Sequence, residues 1–524
     1  MHLTNNSIAI IGAGIGGLAA ALRLSDAGLD VTVFDSASDV GGKMRTFASA
    51  AGPIDAGPTV FTMRHVFEKL FDDVGESLGD HLTLTPAKIL ARHYWSDGST
   101  LDLMANPDET AANIRTWGGA RAEKDYRAFA ERARVLYEAF DAPMMQAAIP
   151  SQAELTRKVM SRPSLVPKMA PWFTLMQSLR HSFKDKRLAQ LYGRYATYVG
   201  GDPFASPALL SLISHSEALG VYAVKGGMHQ LAQTLRTLAQ ARGATFKLDT
   251  HIKQINVQNG SICGLTTDDG THHDAARVLF NGDPKALQDG LLGKSSRAAV
   301  PNEHVQTRSL SAHVHTFAAQ PTGPDLSHHT VFFGDDPKTE FGPIRSDHLP
   351  QDPTLYICAQ DRAGGAQPTG MERFEIIMNA PPTTDTTASQ REITQCQTLV
   401  FNTLARFGLT FTPKPTHQSL TPPATFNRLF PASHGSLYGQ SPHGLMASFA
   451  RPTARSPLNG LYLVGGGTHP GAGIPMATLS AQHAAEAILT DLASTSTSRP
   501  TAMRGGTSTG SATAAPAPSA SSAS

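Results

Sequence analysis

Cysteine is scarce in this chain, and the three present, Cys263, Cys358 and Cys396, lie far apart. They form neither a CxxC pair nor a disulfide framework, which fits a reducing compartment. Neither sign of charge is in excess. The formal net charge is +1, so the overall balance predicts neither a nucleic-acid nor an acidic partner. No apolar run approaches the roughly 18 residues needed to span a bilayer. The start, MHLTNNSIAII, has no basic region ahead of an apolar one, so no signal peptide is expected. There is no HExxH and no Cys/His cluster. His313 and His315 share one face of a strand, but two ligands are too few, and no metal is expected.

From Ser494 to Ser524 large apolar residues are almost missing, and Ser, Thr, Ala, Pro and Gly dominate. Such a tail buries too little surface to offset its ordering entropy, and it is expected to be disordered. It contains Gly506-Thr-Ser-Thr-Gly510, which fits a nucleophile elbow by letter. That motif needs a strand before it and a helix after it, and has neither here.

What is present begins at Ile8. Ile8 to Ile11 is a short apolar run of the kind found in buried parallel strands. Gly12, Gly14 and Gly17 then give G-x-G-x-x-G. The first glycine permits the tight turn, the second lets a pyrophosphate approach the backbone, and the third lets the helix pack close to the strand. Leu18 to Ala27 reads as the helix, with Gly28 at its C-terminal end. Leu29 to Phe34 reads as the second strand. Asp35 follows it, at the spacing of a carboxylate that binds ribose hydroxyls. The fold is read as α/β.

The stretch from Asp35 through Gly41-Gly42-Lys43-Met44-Arg45-Thr46 resembles the extended FAD fingerprint of the amine oxidase and carotenoid desaturase superfamily. On that resemblance a second glycine turn adds backbone N–H groups near the pyrophosphate. Lys43 and Arg45 would add charge-assisted contacts to phosphate or ribitol. The turn Gly57-Pro58-Thr59 is expected beside the flavin, with Arg64 and His65 next to it as candidates to face a substrate.

Farther along, residues from about Arg92 to Ser214 look mostly helical. "GVYAVKGGMHQLAQTLRTLAQARGATFKLDTHIKQI" reads as a glycine turn at Gly226-Gly227, a helix and strands, and Asp268-Asp269-Gly270 is a hairpin signal. Residues from about Leu310 to Pro382 alternate in strand fashion, with a helix near Gln390 to Phe407. In "GLYLVGGGTHPGAGIPMATLSAQHAAEAIL", a strand at Leu461 to Val464 leads through Gly465, Gly466 and Gly467 to a helix near Pro475 and Met476. The positive end of that helix suits the negative charge of a reduced flavin.

Three blocks, the N-terminal fingerprint, "GPIDAGPTVFTMRHVFEKLF" and "GLYLVGGGTHPGAGIPMATLSAQHAAEAIL", together resemble a bacterial carotenoid desaturase of the phytoene desaturase class, from Ile8 to about Leu492. Segments such as "RSLSAHVHTFAA", "HHTVFFGDD" and "RLFPASHGSLYGQSPHGLMASFARP" resemble the branch acting on hydroxylated carotenoids, the 1-hydroxycarotenoid 3,4-desaturases. The resemblance implies a Rossmann-type FAD-binding domain with an inserted mixed-sheet and helical substrate domain. Residues 1–90, 220–292 and 456–493 would form the first part, and 91–219 and 293–455 the second. It implies removal of two hydrogens from C3–C4 of a 1-hydroxylated acyclic carotenoid, with hydride passing to flavin N5 and electrons then to oxygen or a quinone. No catalytic base is assigned, because a polyene delocalises positive charge. On the same scaffold, a phytoene or neurosporene desaturase, a carotene isomerase and a non-redox prenyl-lipid carrier of the GDP-dissociation-inhibitor type are alternatives. Asp35, Gly41-Gly42 and the C-terminal glycine loop favour retained flavin.

An insoluble substrate must come from a membrane. Residues 154–194 carry nine Lys/Arg against Glu154 and Asp185, interleaved with Trp172, Phe173 and several Met and Leu. That composition fits a surface resting on anionic lipid. A bacterial cytoplasmic protein, peripheral on the inner or photosynthetic membrane, is expected, with no nucleic-acid partner.

Overall fold

The computed structural model describes residues 6–444 and 446–497. Within it, β1 (Ser7–Ile11), α1 (Ile15–Asp26) and β2 (Asp30–Phe34) form a right-handed parallel unit at the centre of a five-stranded sheet. Strands Arg277–Phe280 and Leu461–Leu463 extend the sheet on the β1 side, Thr245–Lys247 extends it beyond β2, and every pair is parallel. Three distant stretches of chain therefore deliver their strand ends to one edge, where an open parallel sheet binds ligands.

α1 is nearly all small and apolar, and Leu18, Ala19, Ala20, Ala21 and Leu22 have no exposed surface. It lies against the sheet between helix His229–Ala241 and helix Ile474–Thr497, sharing a core with Leu231, Leu235, Ala484 and Ile488. Gly17 is what allows this closeness: a Cβ there would stand 2.1 Å from the Gly12 carbonyl oxygen.

The hairpin signal at Asp268–Gly270 is the turn between antiparallel strands Ser261–Thr267 and His272–Asp274. A larger mixed sheet runs in the order Thr410–Thr412, Ser311–Thr322, Glu372–Ala380, Leu355–Ala359, His329–Phe332, Ile89–Tyr94, Thr100–Met104. One face carries Phe317, Phe374, Ile376, Met378 and Ile357, and it is covered by Cys396, Val400 and Leu404 of helix Gln390–Arg406. The opposite face, carrying Val314, Ile377 and Tyr356, looks into the interior.

Two expectations change. The helical stretch begins at Pro107 rather than near Arg92, because Ile89–Tyr94 and Thr100–Met104 are an antiparallel pair joined to the large sheet through His329–Phe332. Their alternating buried residues, Leu101 and Leu103 among them, meet Ile114 and Phe129 of the following helix. Ser494 to Thr497 belong to the last helix; the rest of the expected tail, including Gly506–Gly510, lies outside the described residues. No helix among the described residues is long and apolar enough to cross a membrane.

These contrasts rank two glycines. Gly17→Ala should destabilise the fold by about 1–3 kcal/mol through overpacking. Gly342 sits in helix Pro337–Ile344 with open space where a Cβ would go. Gly342→Ala should therefore stabilise by roughly 0.4–1 kcal/mol. Thermal denaturation of the two variants should move in opposite directions.

Candidate active site

The fingerprint turn is held by hydrogen bonds from both sides of the sheet edge. Ala13 N–H donates to Asp35 Oδ2 at 2.6 Å, and Ala37 N–H donates to Oδ1 at 2.8 Å. Burial pushes the Asp35 carboxyl up, while those two donors pull it down. Gly41 N–H donates to the Ala13 carbonyl, which lays the second glycine turn beside the first. Asn281, at the end of strand Arg277–Phe280, reaches across with Nδ2 to the Gly12 carbonyl at 3.0 Å. Its Oδ1 lies 2.7 Å from where a Gly16 Cβ would be and 2.6 Å from where a Gly465 Cβ would be. The C-terminal glycine loop is pinned in turn: Gly465 N–H donates to Ser480 Oγ, and Thr468 Oγ1 donates to the Gly465 carbonyl.

Above these turns lies a cavity of about 1320 Å³, larger than the roughly 300–1,000 Å³ of an ordinary small-molecule site. Its wall includes Gly12, Gly14, Asp35, Gly41, Gly42, Lys43, Arg45, Gly57, Pro58, Thr59, Gly466, Gly467, Pro475 and Met476. The sequence-predicted residues thus converge on one space. Gly17 is the exception. It does not line the cavity, because it is spent on the contact between α1 and the Gly12 turn.

Lys43 and Arg45 face the cavity; Lys43 Nζ and Arg45 Nη2 are engaged, while Arg45 Nε is buried without a partner among the described residues. Lys43 Nζ donates to the Leu437 carbonyl at 2.6 Å and lies over the Phe430 ring. Its side chain opens to the cavity, far from bulk water, and this desolvation lowers its pKa to about 8, partly opposed by Asp283. Arg45 Nη2 donates to Thr421 Oγ1, and its guanidinium lies between the rings of Phe47 and Phe426. Thr59 Oγ1 and the Tyr356 hydroxyl are 2.7 Å apart, tying the Gly57-Pro58-Thr59 turn to the large sheet.

Arg64 and His65 do not face the cavity. Both are exposed at the start of helix Arg64–Asp72, and Arg64 pairs with Glu68 and lies over Tyr222. His313 and His315 share a strand face as expected, but it is the face turned toward helix Gln390–Arg406. His313 meets Glu392, and His315 meets Ser419. A different cluster, His328, His329 and Cys358, brings three ligand atoms within 4.8 Å of one another. Thirty residues of intervening chain hid it, and it stands one ligand short of a closed tetrahedral shell.

Sequence reasoning also missed Asn281 and Arg451. Arg451 is buried and donates to the carbonyls of Gly466, Tyr438 and Gln440. Burial lowers its pKa to about 10. With Lys43 and the buried Arg308–Asp283 pair, it makes the cavity's middle cationic. No local spacing signals these contacts.

The helical segments contribute apolar lining, with Phe140, Met144, Met145, Met176, Leu209 and Leu212 in the wall, along with the polar Gln190, Arg194 and Glu217. Of the basic segment 154–194, two cations are turned to internal use. Arg194 is buried over Tyr195 and Tyr198, and Arg187 pairs with Asp97 and Asp185, whereas Arg180, over Phe204, stays exposed. Arg157 and Arg162 remain exposed.

Lys43 carries a pH test. Between about 8 and its ordinary 10.5 the unfolded amine keeps a proton that the folded one has released. The unfolded state then binds more protons, so stability rises with pH across that window. The melting temperature of the cofactor-free wild type, relative to Lys43→Met, should rise from pH 8 to 10.5 and stay level below 8. A level difference throughout would place the amine in water.

The model of flavin-containing amine oxidoreductases matches residues 15–318. A hydroxyneurosporene desaturase of Cereibacter sphaeroides is 50% identical over 489 residues, 93% of this chain and 98% of the relative. A 1-hydroxycarotenoid 3,4-desaturase of Flavobacterium sp. strain P99-3 is 29% identical over 91% of this chain and 98% of its own. Among solved structures, cyclohexylamine oxidase from Brevibacterium oxydans IH-35A has the same fold, with a TM-score of 0.57 at 17% identity over 94% of this chain and 100% of that one. With the paired glycine turns, Asp35 and the C-terminal glycine loop in one cavity, this chain belongs to the flavin-containing amine oxidoreductase family and is an FAD-dependent oxidoreductase.

Proposed function

We propose that the chain desaturates a 1-hydroxylated acyclic carotenoid at C3–C4. The observation that carries this reading is the lining of the cavity, which joins the glycine turns to apolar side chains such as Phe140, Met144, Met176 and Leu209. Its volume of about 1320 Å³ leaves space beyond a dinucleotide for a long hydrocarbon. The names of the 50% and 29% identical relatives support the substrate class.

The residues present suit FAD. A Cβ on Gly14 would come within 3.2 Å of Asn281 Nδ2, and one on Gly42 within 3.1 Å of the Gly14 Cα, so the cradle stays bare backbone. Gly12, Gly14, Gly41 and Gly42 would hold the pyrophosphate and Asp35 the ribose. Lys43, Arg45, Gly57, Pro58, Thr59, Gly466, Gly467, Pro475 and Met476 would surround the remainder. Bound there, FAD supplies a two-electron acceptor for the hydrogen removed from carbon. The protein's part is to orient the polyene and keep water away, and its apolar lining does both. A polyene spreads developing positive charge over many carbons, so proton loss from the adjacent carbon does not require a strong base.

Substrate reaches the cavity from a lipid surface. Ile149, Met160 and Trp172 are 66%, 76% and 75% exposed. They lie in the same segment as Leu155 and Leu165, whose buried side chains share a cluster with the cavity-lining Phe140, Met144 and Leu209. One layer of helix thus separates the outer apolar residues from the tunnel wall, with Arg157 and Arg162 beside them for anionic headgroups. Electrons then leave to oxygen or a membrane quinone.

Three measurements test this. Purified protein with FAD and liposomes should convert 1-hydroxyneurosporene to a red-shifted product on HPLC and leave phytoene unchanged; conversion of phytoene alone would move the chain to another pathway step. Asp35→Ala removes a carboxyl acceptor and should weaken FAD binding by roughly 10- to 100-fold in a flavin fluorescence titration. Trp172→Glu should reduce co-sedimentation with anionic vesicles while leaving the melting temperature unchanged, since the ring packs in no core. Equal sedimentation would remove this segment from the membrane contact.

A further inference from the structure

On the cavity-facing side of the large sheet, one acid stands among neutral side chains such as Val314, Ile377 and Tyr356. Glu375 lies on strand Glu372–Ala380 with Ile377 two residues on, and both line the cavity. Glu375 has no exposed surface, and neither carboxyl oxygen has a hydrogen-bond partner among the described residues. An isolated buried acid of this kind is costly to keep. Its cross-strand neighbours are Thr316 on one side and Cys358 on the other. Residues paired directly across strands share a face. The Thr316 hydroxyl is also buried without a partner. Two adjacent polar groups therefore share this face of the sheet, and Glu375 is the one in the cavity wall.

Building on the proposed reaction, we propose that Glu375, with Thr316 beside it, binds the terminal hydroxyl of the carotenoid and sets the preference for hydroxylated substrates. Geometry restricts where such a group can stand. The hydroxyl on C1 is three bonds from C3, so it lies within roughly 4 Å of the bond that reacts, at ~1.5 Å per bond. Its partner must then sit beside the flavin position and not at the remote end of the tunnel. Glu375 meets that requirement. Two residue pairs along the ladder, on the same face, Tyr356 opposes Ile377, and the Tyr356 hydroxyl bonds Thr59 of the turn expected against the flavin. Arg45 and Asp55 are its charged neighbours, and both come from the segment that leads into that turn.

The chemistry matches. Burial holds the Glu375 carboxyl well above the ordinary range, with Asp55 adding to the effect and Arg45 opposing it. Burial without a partner favours the neutral acid, which has one O–H donor and one carbonyl acceptor. An alcohol is likewise one donor and one acceptor, so the two satisfy each other without a net charge in the tunnel. A hydrocarbon terminus leaves the acid unmatched, whereas an all-apolar pocket discriminates weakly against an added or missing hydroxyl.

The test uses FAD-loaded full-length protein with Glu375→Gln and Glu375→Leu, assayed and titrated with 1-hydroxyneurosporene and neurosporene. The amide keeps a donor and an acceptor, so Glu375→Gln should retain most of the preference. Glu375→Leu should lower the ratio of kcat/KM between the two substrates by roughly 10- to 100-fold, with flavin content unchanged. Infrared difference spectra give a readout independent of turnover: the protonated carboxyl C=O band should shift when 1-hydroxyneurosporene binds, stay put with neurosporene, and be missing in Glu375→Gln. An unchanged ratio in Glu375→Leu would overturn the proposal. So would an equal loss of kcat on both substrates, which would mark a proton-removing group, or a loss of flavin, which would assign the carboxyl to the cofactor. If the wild type converts neither carotenoid, the reaction assigned above fails on its own. The infrared shift then still decides whether Glu375 receives an alcohol.

Discussion

The site depends on the space around one carboxamide. Asn281 donates to the Gly12 carbonyl, and its side-chain atoms occupy positions within 3.2 Å of where Cβ atoms on Gly14, Gly16, Gly17 and Gly465 would project. These glycines come from opposite ends of the chain, and their lack of a side chain lets two loops share one contact. Because Asn281 ends the strand between β1 and Leu461–Leu463, the parallel register sets where it reaches. Sheet order, glycine pattern and cofactor cradle are therefore one constraint. A Cβ at any of these positions would displace the amide and, with it, the alignment of the two loops.

Electrostatics follows from the same closure. Lys43 and Arg451 are desolvated and bonded to backbone carbonyls rather than to carboxylates, and both have lowered pKa values as a result. Arg308 keeps a buried partner in Asp283. Such an arrangement is unfavourable in the empty protein and becomes favourable when negative charge enters, whether from phosphates or from a reduced flavin. The cationic middle of the cavity thus stores affinity for an anionic cofactor.

What could be read from the sequence was local. The first fingerprint needs consecutive residues, and Gly12, Gly14, Asp35, Gly41 and Gly42 stand where their spacing implied. The strands of the large sheet announced themselves by alternation, as in Ser311–Thr322. Groups whose meaning depends on pairing across hundreds of residues stayed hidden. Asn281 carries no local signal of its contact with the Gly12 turn. Ile89–Tyr94 lost its identity because its partner His329–Phe332 is more than 230 residues away. Counting cations in 154–194 also overstated the surface charge, since Arg187 and Arg194 are held by internal aromatic and acidic partners. Composition reports how many charges a segment has, not which way they point.

The same segment links surface to interior. Its exposed Trp172 and Met160 would be a liability on a protein surrounded by water. Its buried Leu155 and Leu165 pack against residues of the tunnel wall. A side chain that only filled the wall would need no apolar counterpart outside, and a side chain that only touched lipid would need no contact with the wall. These helices therefore carry apolar side chains both on the outer surface and toward the cavity wall.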